Sequence, residues 1–445
     1  MNSKQNSTPQ NRFFSRLSYQ QKFILVTLVF ILAFSGFIPL VSELFTRIQQ
    51  YGYMELNGTR YLVPVQTLLV DIQIHQLTLH EFLDGDVPYS EVEVVQTRIN
   101  DDLRALAEMQ VQYGTELQVQ NDYQIIQEKW NTLYTDARTL SDDESSALHQ
   151  ELAQLIQNLI THVGNTSFLI LDPELDTYYL MDTVVLKQPQ VQEQLNNLAS
   201  SGALFIHAEV ISENEKLLLL NLTSQLVSLN ENMQKNLEIG LTYNTSGQMR
   251  TWVEAPLATA ISANEAVISE IQSQLERETT TSEFEQNLHA TIRAAQDANM
   301  ELYRATSQAL EQGIQGRITR YATRLATAAS IALIAIFLAI VIGVGLMRAI
   351  SRPLQNLVEA ANRLAQGEYS ARVPITSLDE AGKVAQTFNL MAQEVEASRT
   401  QLETRVAVRT RDLELAAEVG RNLTSIRDLN ALLQEAVDTI RNRFE

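Results

Sequence analysis

The chain has 445 residues, no cysteine and a formal net charge of −20. The lack of cysteine excludes disulfide bonds, thiol catalysis and cysteine-ligated zinc or iron–sulfur centres. The negative charge is concentrated between residue 23 and Met347, where 39 acidic residues accompany 16 basic ones. Such a surface repels polyanions, so nucleic acid is not among the predicted partners.

Two uncharged apolar runs, Phe23–Ser42 and Leu325–Met347, predict transmembrane helices over residues 23–44 and 325–347. Each run is roughly 20 residues long, which at about 1.5 Å per residue spans the ~30 Å hydrocarbon core of a bilayer. A cleavable signal peptide is the alternative for the first run. Its length and the absence of an Ala-x-Ala site after it argue against that interpretation.

The charges beside the first run predict the orientation. Four basic and no acidic residues lie in segment 1–22, so the positive-inside rule places that segment in the cytoplasm. Segment 45–324 is then extracytoplasmic, and the second span returns the chain to the cytoplasm. We therefore expect a multi-pass membrane protein with both termini inside.

Segment 45–324 predicts an all-α domain, because Pro and Gly are sparse and apolar residues recur three and four apart. Its length exceeds that of one four-helix bundle, so we expect two stacked bundles that share long helices. The expected helices run from the membrane to Leu83, from Ser90 to Leu140 with an interruption near Gly114, from Asp143 to Val163, from Asp172 as N-cap and Pro173 as first helical residue, from Pro189 to Gly240, from Thr251 to Arg277, and from Glu283 to Arg324. Residues 241–248 are expected to form a loop.

The densest polar and aromatic cluster of this segment comprises five candidate ligand-binding residues, Asp172, Asp176, Tyr178, Tyr179 and Asp182. Aromatic walls with a few polar groups are typical of ligand pockets. The alternative is structural: the aspartates would cap and support a helix start while the tyrosines pack in the bundle.

The histidines do not predict a metal site. His75 and His80 are five residues apart, which is the wrong spacing for one helix face, and His75 with Asp71 is expected to form a surface pair. No metal and no cofactor is therefore predicted.

After the second span, apolar residues at a seven-residue spacing predict two helices joined by an extended connector. The first helix carries Ile350, Leu354, Leu357, Ala361 and Leu364, and the second carries Val384, Phe388, Met391 and Val395. Such a seam cannot be buried within one chain, so we expect a homodimer with a parallel four-helix bundle.

This segment, 348–400, resembles a HAMP domain, the relay module of bacterial receptors. The resemblance rests on Pro353-Leu354 just after the membrane, Gly367 at the end of the first helix, and Asp379-Glu380-Ala381-Gly382 before the second. It implies that the relay residues are Pro353, Leu354, Leu357, Ala361, Leu364, Gly367, Glu380, Gly382, Val384, Phe388, Met391 and Val395. A plain coiled coil is the alternative, and Pro374 in the middle of the pattern argues against it.

Further resemblances flank this module. Residues 401–426 look like the signalling helix or coiled coil that follows such relays, and residues 427–445 are similar to the first helix of a GAF domain, which would be truncated here. Helical sensor regions of bacterial histidine kinases and chemoreceptors resemble the 171–182 stretch and the positions of Glu55, Gly58, Tyr61, Pro64 and His75. The usual Arg after the His75 position is replaced by Gln76, which leaves a site at that position in doubt.

No histidine follows Met347, so the cytoplasmic part lacks a phosphoacceptor histidine, and this chain is not expected to be an enzyme. We expect a receptor of the bacterial inner membrane that detects an extracytoplasmic ligand or ligand-carrier protein. HAMP repacking would pass the signal to a cytoplasmic output domain or kinase. One alternative is the input half of a longer sensor histidine kinase. Another is a structural membrane-tethered coil, for which uninterrupted heptads are expected.

Overall fold

The computed structural model describes residues 19–204, 212–277, 282–424 and 429–444, and all regular secondary structure among them is helical. The all-α prediction is confirmed. The helices are α1 (Tyr19–Leu83), α2 (Tyr89–Tyr113), α3 (Gln120–Asp136), α4 (Asp142–Thr166), α5 (Leu175–Asp182), α6 (Gln188–Leu204), α7 (Glu213–Tyr243), α8 (Gln248–Arg277), α9 (Ser282–Ala365), α10 (Glu380–Thr424) and α11 (Leu429–Phe444). Residues 1–18 of the predicted cytoplasmic segment 1–22 lie outside the described residues.

The chain forms two compact units. Residues 39–328 form an outer unit, and the residues on either side of that range form the other. In the outer unit, α1 to α4 make a first antiparallel bundle whose apolar faces follow the helical repeat. Val92, Val95, Ile99 and Leu103 of α2, for example, are all buried.

Side-chain hydrogen bonds across the first bundle fix its register. Tyr61 on α1 donates to Gln110 on α2 at 2.7 Å, and Trp130 on α3 donates to Asn100 at 3.0 Å. The start of α4 is closed by a capping box, in which Ser141 accepts from the Glu144 backbone and the Glu144 carboxylate accepts from the Ser141 backbone.

His75 is not on the surface, so the expected pair with Asp71 is wrong. Its ring is fully buried, and Nδ1 lies 2.7 Å from Nε2 of His149. His149 Nδ1 lies 2.7 Å from the Ser145 carbonyl oxygen and must donate to it, so its Nε2 accepts from His75. Burial lowers the pKa of His149 to about 4. Asp71 pairs instead with Arg98 on α2.

The junction between α4 and α5 differs from the prediction. Helix α4 continues through Gly164 and ends before Phe168, which has a left-handed backbone (φ +64). A 3₁₀ turn, Leu169–Leu171, follows, and α5 begins only at Leu175. The predicted N-cap role of Asp172 is therefore wrong, because its carboxylate binds the Glu174 backbone in an Asx turn and a buried arginine instead.

The single helix expected from Pro189 to Gly240 is also wrong. Helix α6 ends at Leu204, and α7 begins after Ser212, which forms a second capping box with Glu215. The predicted loop over residues 241–248 is shorter, since α7 extends to Tyr243 and α8 starts at Gln248.

Helices α5 to α8 and the part of α9 up to residue 328 form the second bundle. This bundle lies beside the first and shares one continuous core with it. Asn196 of α6 donates to Gln76 of α1 at 3.1 Å, and Gln157 of α4 donates to Glu193 at 3.2 Å. The two expected bundles are therefore side by side along their length rather than end to end.

Helix α9 is 84 residues long and belongs to both units. Within the described residues it is the one helix long and apolar enough to cross a membrane, and the most apolar 18-residue window is not buried at all. In α1 the corresponding apolar stretch among described residues is shorter, Gln20–Ala33. Exposed Ile331 and Phe337 on α9 fit a helix surrounded by lipid.

In the other unit, α9 ends at Ala365, and Gly367 (φ +96) directs the chain into an extended connector that reaches α10. Ala360, Val373, Ala385, Phe388 and Ala392 form a small core between these elements. The expected helix–connector–helix order is present.

Candidate functional site

A buried ion cluster joins three parts of the outer unit. Arg317 of α9 donates through Nη1 to Asp172 Oδ1 at 2.7 Å and through Nη2 to Glu55 Oε2 of α1. The Arg317 side chain is 4% exposed, and the carboxylates are similarly buried. One guanidinium thus links three elements. They are α1 and α9, which both continue into predicted membrane spans, and the α4–α5 junction.

The cluster holds two carboxylates against one cation. Asp172 Oδ1 also accepts from the Glu174 backbone at 3.0 Å and from Thr177 Oγ1 at 2.8 Å, while the buried Oδ2 has no hydrogen-bond partner. Burial raises the pKa of Asp172 to about 7 and lowers the pKa of Arg317 to about 10. The cluster therefore carries an excess negative charge whenever Asp172 is ionised.

A cavity of ≈ 500 Å³ adjoins this cluster. Its lining comprises Ile48, Gln49, Tyr51, Gly52, Glu55, Phe168, Leu171, Pro173, Arg317, Ile318 and Tyr321. Tyr51 and Phe168 contact each other edge to face with ring centroids 4.9 Å apart. A Cβ on Gly52 would lie 2.7 Å from Ile318 Cγ1, so the glycine allows α1 and α9 to approach closely.

The five predicted ligand residues do not converge on one site. Asp176 accepts from Asn244, and Asp182 accepts from Asn236. Tyr179 packs on Gly240, and Tyr178 is partly exposed. Asp172 alone reaches the ion cluster, and none of the five belongs to the cavity lining. A ligand-binding role for these residues stays a prediction.

The sequence reasoning did not identify Arg317 as a buried residue. The available signal was its spacing, since it lies three residues after Ile314 and seven after Leu310, both on the buried face of α9. A charged residue at such a position is expected to have a buried partner. Glu55 is one of the residues that carry the resemblance to helical sensor regions.

In the other unit, the connector is bound to α10 through backbone and side-chain hydrogen bonds. Asn389 accepts from the Val373 backbone at 2.8 Å and donates to its carbonyl at 2.9 Å. Arg372 pairs with Glu396 at 2.6 Å. The extended segment between Gly367 and α10 is therefore held in one register.

Two residues of the Asp379-Glu380-Ala381-Gly382 motif have structural roles at the start of α10. Asp379 accepts from Ser377 Oγ and from the backbones of Ala381 and Gly382, and these bonds lower its pKa. A Cβ at Gly382 would overlap the Ser377 carbonyl oxygen, so only glycine fits. Glu380, also a predicted relay residue, is exposed.

The predicted seam residues divide into two sets. Phe388 is buried within the chain, and Leu357, Ala361 and Leu364 are partly buried against the same core. The remaining α10 seam residues are exposed: Val384 and Met391 each to 50% and Val395 to 38%. Pro353 and Leu354 on α9 are half-buried.

Residues 345–397 match the family model described as HAMP domain. Several known proteins match part of the chain. "Signal transduction histidine-protein kinase BaeS" of Escherichia coli (strain K12) is 33% identical over 106 residues, "Putative sensory transducer protein" of Acetivibrio thermocellus is 41% identical over 56, and "Sensor protein SrrB" of Staphylococcus aureus is 36% identical over 64.

These matches cover 21%, 13% and 14% of this chain and 22%, 10% and 11% of the relatives, so the chain spans about a fifth or less of their length. No solved structure matches the chain. The chain thus contains a HAMP domain directly after a membrane-length apolar helix, as the input part of a transmembrane signal-transduction protein has.

Arg317→Ala is expected to destabilise the outer unit by about 3–5 kcal/mol, because it leaves buried carboxylates without a cation. The matched control is Arg320→Ala, which removes a more exposed pair with Glu174 and should cost at most about 1 kcal/mol. Both tryptophans, Trp130 and Trp252, lie in the outer unit, so fluorescence-detected urea unfolding of the full chain measures the difference. Equal losses of unfolding free energy in the two variants would contradict a stabilising role for the ion cluster.

The same experiment has an expected pH dependence. The raised pKa of Asp172, about 7, means that its carboxyl is protonated and uncharged below that pH. The loss of unfolding free energy caused by Arg317→Ala should therefore be larger at pH 8, where Asp172 is charged, than at pH 5.5.

Gly382→Ala is expected to displace the connector at a cost of about 1–3 kcal/mol, because the added Cβ overlaps the Ser377 carbonyl. Gly420→Ala is the matched control: its Cβ would meet open space, and it should stabilise α10 by about 0.5–1 kcal/mol. Trypsin cleavage at Arg372 measures connector opening and should accelerate only in Gly382→Ala. Acceleration in neither variant would mean that the connector is not held at this glycine.

Proposed function

We propose that the chain is a homodimeric receptor of the bacterial inner membrane, with residues 45–324 as its extracytoplasmic sensor. The observation that carries the proposal is the HAMP domain placed directly after a membrane-length apolar helix. The domain boundaries at residues 22, 44, 324, 347, 400 and 426 belong to this proposal. So do the signalling helix over 401–426 and the opening GAF helix over 427–445.

The exposed seam residues support dimerisation. Val384, Met391 and Val395 lie on one face of α10 and are solvent-exposed in the single chain, although a seam of this spacing is a helix-packing surface. A second copy would cover this face in a parallel four-helix bundle. The expected partners are therefore a second chain, the membrane, an extracytoplasmic ligand or ligand-carrier protein, and a cytoplasmic output module.

The signal would travel along α9. This helix is continuous from the buried Arg317, through the apolar segment, to Pro353 and Leu354. A ligand that changed how α9 packs against α1 would shift or rotate a rigid rod whose other end forms part of the HAMP core. The HAMP bundle would then change between packing arrangements.

The second candidate function is the input half of a longer sensor histidine kinase. Two of the three relatives carry kinase or sensor names, and their matches cover only a small part of them. In that case α10 and α11 would lead into a catalytic domain.

A topology test uses the cysteine-free background. Ser246→Cys, in the turn between α7 and α8, should react with a membrane-impermeant maleimide in intact cells, because the outer unit is expected outside. Ser398→Cys on α10 should react only after permeabilisation. Labelling of Ser398→Cys in intact cells, with Ser246→Cys protected, would reverse the proposed orientation.

A dimerisation test uses two neighbouring positions on α10. Met391→Cys lies on the exposed seam, whereas Gln393→Cys is on the opposite side of the helix and serves as the control. Oxidation of the full chain in membranes should give disulfide-linked dimers at least about tenfold faster for Met391→Cys, because a coiled-coil seam brings identical positions together. Equal rates would reject the seam as a dimer interface.

A further inference from the structure

The cavity beside the Glu55–Arg317–Asp172 cluster is the feature of the outer unit that best fits a ligand. It measures ≈ 500 Å³, within the range of about 300–1,000 Å³ that small-molecule pockets occupy. We propose that it binds a small organic cation, an amine or quaternary ammonium ion with an aliphatic or aromatic body. This inference names the ligand class for the proposed receptor and rests on that function for its signalling role.

The walls of the cavity suit an apolar body. Eight of the eleven lining residues are apolar, aromatic or glycine, and Ile48, Leu171 and Ile318 provide aliphatic surface. Leu171 is 68% exposed in the single chain, so apolar surface is available to an occupant. Burial of that surface would provide the non-directional part of the affinity.

The aromatic residues suit a positively charged head group. Tyr51, Phe168 and Tyr321 all belong to the lining, and the first two already pack edge to face. Ring faces attract cations through the ring quadrupole, and aromatic side chains recognise quaternary ammonium groups in proteins in this way. A neutral or anionic head would gain nothing from this interaction.

The charges around the cavity also favour a cation. Among the described lining residues, Glu55 is the one anionic and Arg317 the one cationic side chain, and both Nη atoms of Arg317 are bound to carboxylates. Asp172, between lining residues Leu171 and Pro173, adds a second carboxylate with an unpartnered Oδ2. The nearby Arg320 is paired with Glu174. An anion would therefore meet no unpaired guanidinium among these residues, and it would meet an excess negative charge whenever Asp172 is ionised.

The position of the cavity connects its occupancy to signalling. Ile48, Tyr51 and Gly52 belong to α1, whereas Ile318 and Tyr321 belong to α9. The two helices approach each other closely where Gly52 meets Ile318, a few residues after the predicted span in α1 ends and a few residues before the predicted span in α9 begins. A ligand that fills the space beside this contact would change the packing of α1 against α9.

The binding test uses the full chain in nanodiscs of zwitterionic lipid and three probes with the same alkyl chain. Calorimetric titration with hexyltrimethylammonium should give saturable binding, at least about tenfold tighter than hexanesulfonate or 1-hexanol, a difference of about 1.4 kcal/mol. Empty nanodiscs provide the partitioning baseline. Absence of saturable ammonium binding, or equal binding of the sulfonate or alcohol, would overturn the proposal.

Two exposed tyrosines of α1 provide a matched pair of variants. Tyr51→Leu removes an aromatic wall and should weaken ammonium binding by about twofold to fivefold, the range of an exposed cation–π contact. Tyr53→Leu removes an equally exposed tyrosine that does not line the cavity and should leave binding unchanged. Because neither side chain is buried, both variants should fold. Identical affinities in the two variants would reject this cavity as the binding site.

Glu55→Gln tests the charge directly and should weaken ammonium binding more than Tyr51→Leu, with urea unfolding as the folding check. The signalling role is read separately, as the effect of hexyltrimethylammonium on disulfide formation in Met391→Cys. A changed rate supports the ligand site and the receptor function together. Saturable binding with an unchanged rate supports the site and counts against the receptor function instead.

Discussion

The pairing of Arg317 with Glu55 and Asp172 is the interaction on which the outer unit depends. A buried guanidinium is costly unless its donors are occupied, so the chain can adopt this arrangement only when α1, α9 and the α4–α5 junction meet in one register. In a chain without disulfides, polar contacts of this kind supply the specificity that apolar packing lacks. The buried asparagines of the second bundle act similarly, since Asn264 donates to Asn230 at 3.0 Å and Asn299 donates to Asn264 at 2.7 Å.

The same constraint bears on how α1 and α9 can move relative to each other. Arg317 fixes α9 relative to α1 at one point, and the neighbouring cavity leaves that helix pair incompletely packed on one side. A tightly packed interface resists small displacements, whereas an unfilled one can hold two arrangements of similar free energy. The HAMP domain has a similar arrangement, because its core is partly closed by Phe388 within the chain while Met391 and Val395 stay exposed.

The regular parts of the fold could be predicted from the sequence, and the irregular parts could not. The break after Leu83, the interruption at Gly114 and the HAMP helix–connector–helix order follow from Gly, Pro and apolar spacing, which act locally. The delayed start of α5 and the burial of Asp172 depend on Arg317, 145 residues away, so no local pattern contains them. His75 was misassigned for the same reason, since its partner His149 lies on another helix. The end of α6 was different: the Ser212–Glu215 capping box was a local signal that was not recognised.

The length of α9 limits the kinds of motion that this helix can transmit. A continuous helix of 84 residues transmits translation, tilt and rotation, but it does not transmit a local loss of structure without breaking its own hydrogen bonds. The only proline inside it, Pro353, lies near the start of the HAMP match, residues 345–397, and removes one backbone donor there. The helix is therefore most easily bent at that residue, before the Leu357–Leu364 face that packs in the HAMP core. Beyond that face, the connector is tied to α10 by the Asn389–Val373 hydrogen bonds and by the close approach of Ser377 to Gly382, so displacing α10 alone would cost these contacts.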